Sequence, residues 1–289
     1  MFRNPEKRTA RRLSLVGVAL VSSLVLAACG GGSGSSGSTA AAGGDSGATG
    51  LNAAGTLTVG MNLQFKPEMY LDDAGKPAGY DVELLNKLAA DLGVKLDIQN
   101  LDFNGLIPGL QSKKFDMVSV GLTATDARKQ VIDFTREYVP YTSVLAVKQG
   151  DTTAATVDAY NTPNTVITAL QGSSGEQLAK KTFPNAQVKS FADQNAALLE
   201  VSTGRANGSV LEDYILAQYQ KANPNQVAKA GLPKPLDLGY GSWAVQKGNK
   251  ALADKLNAFL CKAQNDGTLK STYTSVFGVD DFPEMPGGC

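Results

Sequence analysis

Asp81-Val-Glu-Leu-Leu-Asn-Lys-Leu-Ala-Ala-Asp-Leu-Gly93, followed by Lys95-Leu-Asp-Ile-Gln99, is the stretch from which the rest of the chain can be read. Val82, Leu85, Leu88, Ala89 and Leu92 form one apolar stripe at helical spacing, and Gly93 stops it. Lys95 to Gln99 then alternates apolar and polar, as a half-buried strand does. Upstream, Thr56-Leu-Thr-Val-Gly60 is a short β-type run. Downstream, Leu106 to Gln111 reads as a short helix and Phe115 to Val120 as the next strand. Strand and helix in alternation predict an α/β sandwich.

The pattern enters a β run around Tyr141 to Val147 and restarts after Gly150. Val166–Leu170 and Gly208–Leu211 read as strands. Gly175–Lys181, Ala192–Ser202 and Asp213–Lys221 read as helices. The proline-rich segment 231–235 leads to a strand at Tyr240–Val245, and helices at about Lys250–Ala263 and Thr268–Val276 follow. The two halves are similar in plan, as expected for two lobes joined by two crossing strands.

The first 28 residues have the form of a targeting segment. Arg3, Lys7, Arg8, Arg11 and Arg12 precede an apolar run from Leu13 to Ala28, shorter than a typical membrane span. The run ends Leu26-Ala27-Ala28-Cys29, which resembles a bacterial lipobox with Cys29 as the lipidated residue. Residues 29–55 are rich in Gly, Ser, Ala and Thr and cannot build a core, so they read as a flexible tether. At about 26 residues, such a tether has an r.m.s. reach on the order of 28 Å. The body is therefore expected outside the cytoplasm, held near a membrane by lipid at Cys29, either on the outer face of the cell membrane or in a periplasm.

The whole chain carries 27 basic and 27 acidic residues. Setting aside the five basic residues and Glu6 of the targeting segment leaves 22 against 26, a net charge of −4. That balance argues against nucleic acid as a partner. Cys261 and Cys289 are an even pair in an oxidising setting and are expected to be bridged.

The chain contains no histidine, which removes Ser-His-Asp hydrolysis and histidine metal sites. No Walker loop, dinucleotide fingerprint or EF-hand loop is present, and neither cofactor nor metal is expected. The segment Gly121-Leu-Thr-Ala-Thr-Asp-Ala-Arg128 carries the chemistry that remains. Glycine lets the backbone approach a ligand, threonine and amide groups donate hydrogen bonds, and a guanidinium offers a planar two-pronged donor. The same letters also fit a helix cap at Thr125 or Asp126 with Arg128 solvated on the first turn.

Seven segments in order carry a family resemblance: 79–85, 102–110, 114–117, 121–128 with 132–135, 172–175, 211–214, and 240–241 with 247–249. From about Thr56 to Gly278 the chain resembles the extracellular solute-binding proteins of family 3, which feed polar amino acids to ABC importers. The resemblance implies a two-lobed periplasmic-binding-protein fold of type II, each lobe a mixed sheet flanked by helices, joined by two hinge strands. Lobe 1 would hold residues 56–140 and 240–289, and lobe 2 residues 141–239. The implied product is a monomeric, non-enzymatic receptor that hands a polar L-amino acid to permease subunits.

The same resemblance implies site roles. Arg128 would grip the ligand α-carboxylate, helped by Gly121, Thr123 and a loop formed by Ser173 and Ser174. Asp213 would accept the α-ammonium, unless it only caps its own helix. Phe65 and Phe103 would sandwich the ligand, although core packing is the ordinary fate of an isolated phenylalanine. Asn62 stands where several relatives carry an acid, and its amide suits a glutamine-like neutral side chain. Glu68 follows Pro67 where an aromatic is usual; facing the cleft it would favour a cation, but exposure is the ordinary fate of glutamate. The alternatives are a binder of arginine or lysine, or a dehydratase of the same fold using Glu212, Asp213 or Glu68 as general acid.

Overall fold

A computed structural model describes residues 49–283 and 285–289. The targeting segment, Cys29 and most of the expected tether lie outside the described residues. The expected tether ends earlier than residue 55: Leu51 is buried, the Asn52 amide donates to Asp116, and the Gly50 carbonyl accepts from Asn249.

The chain opens with β1 (Thr56–Met61) and a small sheet of β2 (Gln64–Phe65), β3 (Met69–Leu71) and β4 (Pro77–Ala78). Helix α1 (Tyr80–Leu92), β5 (Lys95–Asn100), α2 (Leu106–Gln111), β6 (Met117–Leu122) and the single-turn α3 (Asp126–Lys129) follow. The long β7 (Ile132–Lys148) leads to α4 (Val157–Tyr160), β8 (Val166–Leu170), α5 (Ser174–Thr182) and β9 (Gln187–Phe191). Next come α6 (Gln194–Ser202), β10 (Gly208–Glu212), α7 (Asp213–Ala222) and β11 (Val227–Lys229). The return strand β12 (Asp237–Gln246), α8 (Lys250–Asn265) and α9 (Thr268–Phe277) complete the order.

The stripe on α1 buries Val82, Leu85, Leu88 and Ala89, and Gly93 closes the helix in the left-handed conformation. Strands run in the order β5-β1-β6-β12-β7-β10-β8-β9, with β11 on β7. The β5-β1-β6 and β10-β8-β9 runs are parallel, whereas β12 is antiparallel to β6 and β7. Parallel neighbours need crossovers, which the helices supply.

Two strands link the halves. β7 pairs with β12 from Ile132 to Ser143 and with β10 from Ser143 to Ala146. β12 pairs with β7 from Asp237 onward and with β6 over Ser242–Val245. Trp243, Tyr80, Tyr138 and Phe115 anchor the larger core, and Leu145, Ile167, Phe183 and Val210 belong to a second. Cys261 and Cys289 are bridged, with Cα atoms 5.5 Å apart, so the tail is tied to α8. Arg136 adds a hydrogen bond to the Gly287 carbonyl at 2.8 Å. Among the described residues, no helix is long and apolar enough to cross a membrane.

Candidate functional site

A cleft opens where the C-terminal ends of β6, β8 and β10 meet, the place at which α/β sheets receive ligands. Phe65, Phe103, Gly121, Thr123, Arg128, Ser173, Ser174 and Glu68 all line it. These are eight of the ten ligand-binding residues expected from the sequence; Asn62 and Asp213 are the other two.

One end is built to receive an anion. Arg128 is 5% exposed, although it sits on the first turn of a helix whose N-cap is Thr125. The cap and the clamp are therefore not alternatives, because the cap holds the turn that aims Arg128 inward. Its Nη1 donates to the Thr123 carbonyl and its Nη2 to the Gly172 carbonyl, both at 2.9 Å. The guanidinium carbon lies 5.8 Å from the centre of the Phe103 ring. No carboxylate ion-pairs with Arg128 among the described residues. Burial lowers its pKa to about 10. Of five guanidinium N–H donors, three remain for a ligand.

The N-terminus of α5 stands beside Arg128. Ser173 caps it, accepting from the Glu176 amide at 3.0 Å and donating to the Leu170 carbonyl at 2.8 Å, so its hydroxyl is already used. Ser174 Oγ accepts from Thr123 Oγ1 at 3.2 Å, and Thr123 also shares a hydrogen bond with the Tyr141 hydroxyl. Free amides and the helix dipole make this end attractive to a carboxylate.

The other end is acidic. Glu212 closes β10 and faces the cleft without capping the helix that follows. Burial raises its pKa, while Arg128 pulls it down. Glu68 is 4% exposed, so the expectation of exposure is overturned. Gly79, at φ 111°, makes this possible. A Cβ there would sit 2.5 Å from the Pro67 carbonyl oxygen and 2.6 Å from that of Glu68, blocking the turn that carries Glu68 over α1. Tyr214 hydrogen-bonds Glu68 Oε2, and Oε1 has no partner. Gly121, at φ 56°, lies in the left-handed region that favours glycine, and a Cβ there would also lie 2.5 Å from that oxygen. Burial, then the Asp81 carboxyl, push Glu68 well above the usual carboxylate range; the Tyr214 hydrogen bond opposes them and Glu212 adds to the rise.

Behind Glu68, the fully buried Asp81 accepts from Ser119 and Tyr138, both at 2.7 Å, and leaves Oδ1 without a partner. Burial raises its pKa to about 7 against the pull of those two hydrogen bonds.

Two expected residues are elsewhere. Asn62 is buried, but its Nδ2 donates to the Leu101 carbonyl at 2.6 Å and its Oδ1 accepts from Gln64. Both halves of the amide are spent on Leu101 and Gln64, and Asn62 does not line the cleft. Asp213 opens α7 on the outside and pairs with Lys229 at 2.8 Å; Glu212, one residue earlier, holds the place expected for it. The signal that separates them is positional, since a strand's last residue faces the crevice at the carboxyl ends. Gln194 has no counterpart among the residues expected from sequence. It is 3% exposed, its backbone N–H donates to Gln64 Oε1 at 3.0 Å, and its side-chain Nε2 lacks a partner. Among the described residues, no cluster of acidic or cysteine side chains could hold a metal ion.

The chain has known relatives. The family model of bacterial extracellular solute-binding proteins, family 3, matches residues 57–279. The L-cystine-binding protein TcyA of Bacillus subtilis (strain 168) is 30% identical over 266 residues, covering 90% of this chain and 95% of its own. An ancestral arginine-binding protein, solved with arginine and with glutamine, is 34% identical with a TM-score of 0.71, covering 78% of this chain and 99% of its own. An ancestral amino acid-binding protein described as a precursor of cyclohexadienyl dehydratase is 31% identical with a TM-score of 0.70, covering 77% and 95%.

Proposed function

Since this chain belongs to the bacterial extracellular solute-binding proteins of family 3, we propose that it captures a polar L-amino acid between two lobes and delivers it to an ABC permease. The observation that carries this reading is Arg128, a buried guanidinium with spare donors and no carboxylate partner, set beside a helix N-terminus. A ligand carboxylate completes that end, and Glu212 at the other accepts the α-ammonium. Phe65 and Phe103 cover the aliphatic stem. The lobes meet through β7 near Val139–Ser143 and β12 near Leu236–Tyr240, which makes residues 56–140 with 240–289 one lobe and 141–239 the other. Lipid at Cys29 keeps the receptor at the membrane and supplies the local concentration that delivery to a permease needs.

The expected preference for a glutamine-like ligand leans on Asn62, whose amide is already committed, so side-chain selectivity rests on groups that do face the cleft. A calorimetric screen of the twenty amino acids against ligand-stripped protein tests the proposal. Saturable binding of at least one supports it, and no binding by any of them refutes it. The dehydratase alternative has in its favour the raised pKa values of two cleft-facing carboxyls, Glu212 and Glu68. Incubation with arogenate or prephenate, followed by assay for the aromatic product, decides that alternative.

A further inference from the structure

We propose that Glu68 selects ligands with a cationic side chain, receiving that cation in exchange for a proton. The inference rests on the amino-acid capture proposed above and adds the class of side chain. Its basis is the charge inventory of the cleft. Arg128 supplies one positive charge, and Glu212 and Glu68 supply two potential negative ones. A zwitterion answers Arg128 with its carboxylate and Glu212 with its ammonium, and contributes no net charge. Glu68 is then the group left over, with an unpartnered oxygen over Gly121.

The groups that face Glu68 offer it no cation. Its carboxyl neighbours are Asp81 and Glu212. Its phenol neighbours are Tyr214, which hydrogen-bonds it, and Tyr80, Tyr138, Tyr141 and Tyr273, all of which feel its charge. Arg128, the cation in the same cleft, makes no ion pair with Glu68 among the described residues, and its spare donors go to the ligand carboxylate. In so anionic and desolvated a setting the free carboxyl keeps its proton. A guanidinium or ammonium arriving at Oε1 reverses the balance. The O–H bond of the acid breaks, the proton leaves to solvent, and the carboxylate pairs with the cation.

Gln194 Nε2 is a second fully buried polar atom of the cleft without a hydrogen-bond partner among the described residues, and it asks for an acceptor, which suits a neutral amide ligand. The two demands are unequal. An amide rotates about its terminal torsion and presents oxygen in place of nitrogen, so Gln194 adapts to a cation. A carboxyl answers each class of ligand in a different state: protonated, it offers a neutral amide one ordinary hydrogen bond, and ionised, it gives a cation a charge-assisted pair, which is the stronger of the two.

Arginine and citrulline make the test sharp, because the ureido group has nearly the shape of the guanidinium without its charge. In titrations of the full chain, arginine or lysine is expected to bind at least about tenfold more tightly than citrulline or glutamine. Repeating the arginine titration in buffers of different ionisation enthalpy is expected to show proton release, and citrulline none. Arginine affinity therefore rises with pH until free Glu68 is itself ionised, whereas citrulline affinity stays flat. Glu68→Gln keeps the shape and a hydrogen bond to Tyr214, and should erase both the preference and the proton release while citrulline still binds. Citrulline or glutamine binding as tightly as arginine overturns this inference and leaves amino-acid capture standing. Arginine binding without proton release also overturns it, and that measurement needs no variant to fold. No binding by any amino acid overturns both readings.

Discussion

At one end of the cleft Arg128 has two donors fixed on carbonyls and three to spare; at the other, Glu68 has one oxygen held by Tyr214 and one held by nothing. Both groups are buried and neither is ion-paired within the described residues. They answer burial differently. A guanidinium stays protonated even at a pKa of about 10, so the anion-receiving end keeps its charge at neutral pH. A carboxyl pushed upward by burial favours its neutral form, so the charge of the acidic end depends on pH and on the ligand. The first end is a fixed charge and the second a titratable one, which assigns common affinity to Arg128 and discrimination to Glu68.

Removing the fixed charge should have the largest effect. Arg128→Ala is expected to weaken every amino acid that binds by on the order of 2–5 kcal/mol, since the ligand carboxylate loses a desolvated partner. Arg128→Lys should recover only part of this, because an ammonium cannot reproduce the planar fork. Calorimetry on folded variants measures both. Near-unchanged affinity in Arg128→Ala would move the carboxylate site to the α5 N-terminus alone.

The titratable end predicts a stability effect without ligand. Asp81 has a pKa near 7 in the folded protein and about 3.9 unfolded, so the folded state keeps a proton that the unfolded state releases. Stability is therefore fully present below about pH 4 as far as this group is concerned, and falls as pH rises towards 7, by at most about 1.4 kcal/mol per unit. Glu68 works in the same direction. Thermal unfolding of ligand-free protein should give a higher Tm near pH 5 than near pH 8, and Asp81→Asn should flatten that slope. A Tm that climbs across this interval would show that the acidic end is charged in the free protein.

How far these two ends are legible from sequence depends on what each residue has to announce itself. The helix from Tyr80 to Leu92 declares itself through a 3.6-residue stripe, and its Gly93 cap falls where expected. The strands β2, β3 and β4 are two or three residues long and have no period to detect, yet they carry Phe65 and lead to Glu68. Arg128 is legible because its motif is local and contiguous. Glu68 is not, since its burial depends on Gly79 and Gly121, 11 and 53 positions away, each leaving room that a side chain would fill. Asn62 misleads for the opposite reason: its chemistry suits a ligand, but Leu101 and Gln64 reach it first.

Within the acidic end, Glu212→Gln sharpens the assignment of roles. An amide keeps the size and one acceptor but loses the charge, so the α-ammonium should lose on the order of 1.5–3 kcal/mol of binding, the worth of a charged hydrogen bond. Because Glu212 answers the ammonium, arginine and citrulline should weaken together. A loss confined to arginine would exchange the roles of Glu212 and Glu68.

The smallest effect belongs to the neighbouring residue, and it is informative because it is small. Asp213 and Glu212 are adjacent carboxylates at the junction of β10 and α7, and the sequence alone favours Asp213 as the ammonium acceptor. The turn from strand to helix sends them to opposite sides. Asp213 pairs with Lys229, with side chains 42% and 53% exposed, and such surface pairs contribute about 0–1 kcal/mol to stability. Asp213→Asn should therefore leave ligand affinity within about a factor of two and Tm almost unchanged, because solvent and salt already screen the pair. A titration of Asp213→Asn beside Glu212→Gln makes the comparison directly. If Asp213→Asn weakened binding as much as Glu212→Gln, the junction would turn the other way in the liganded protein, and the ammonium site would revert to Asp213.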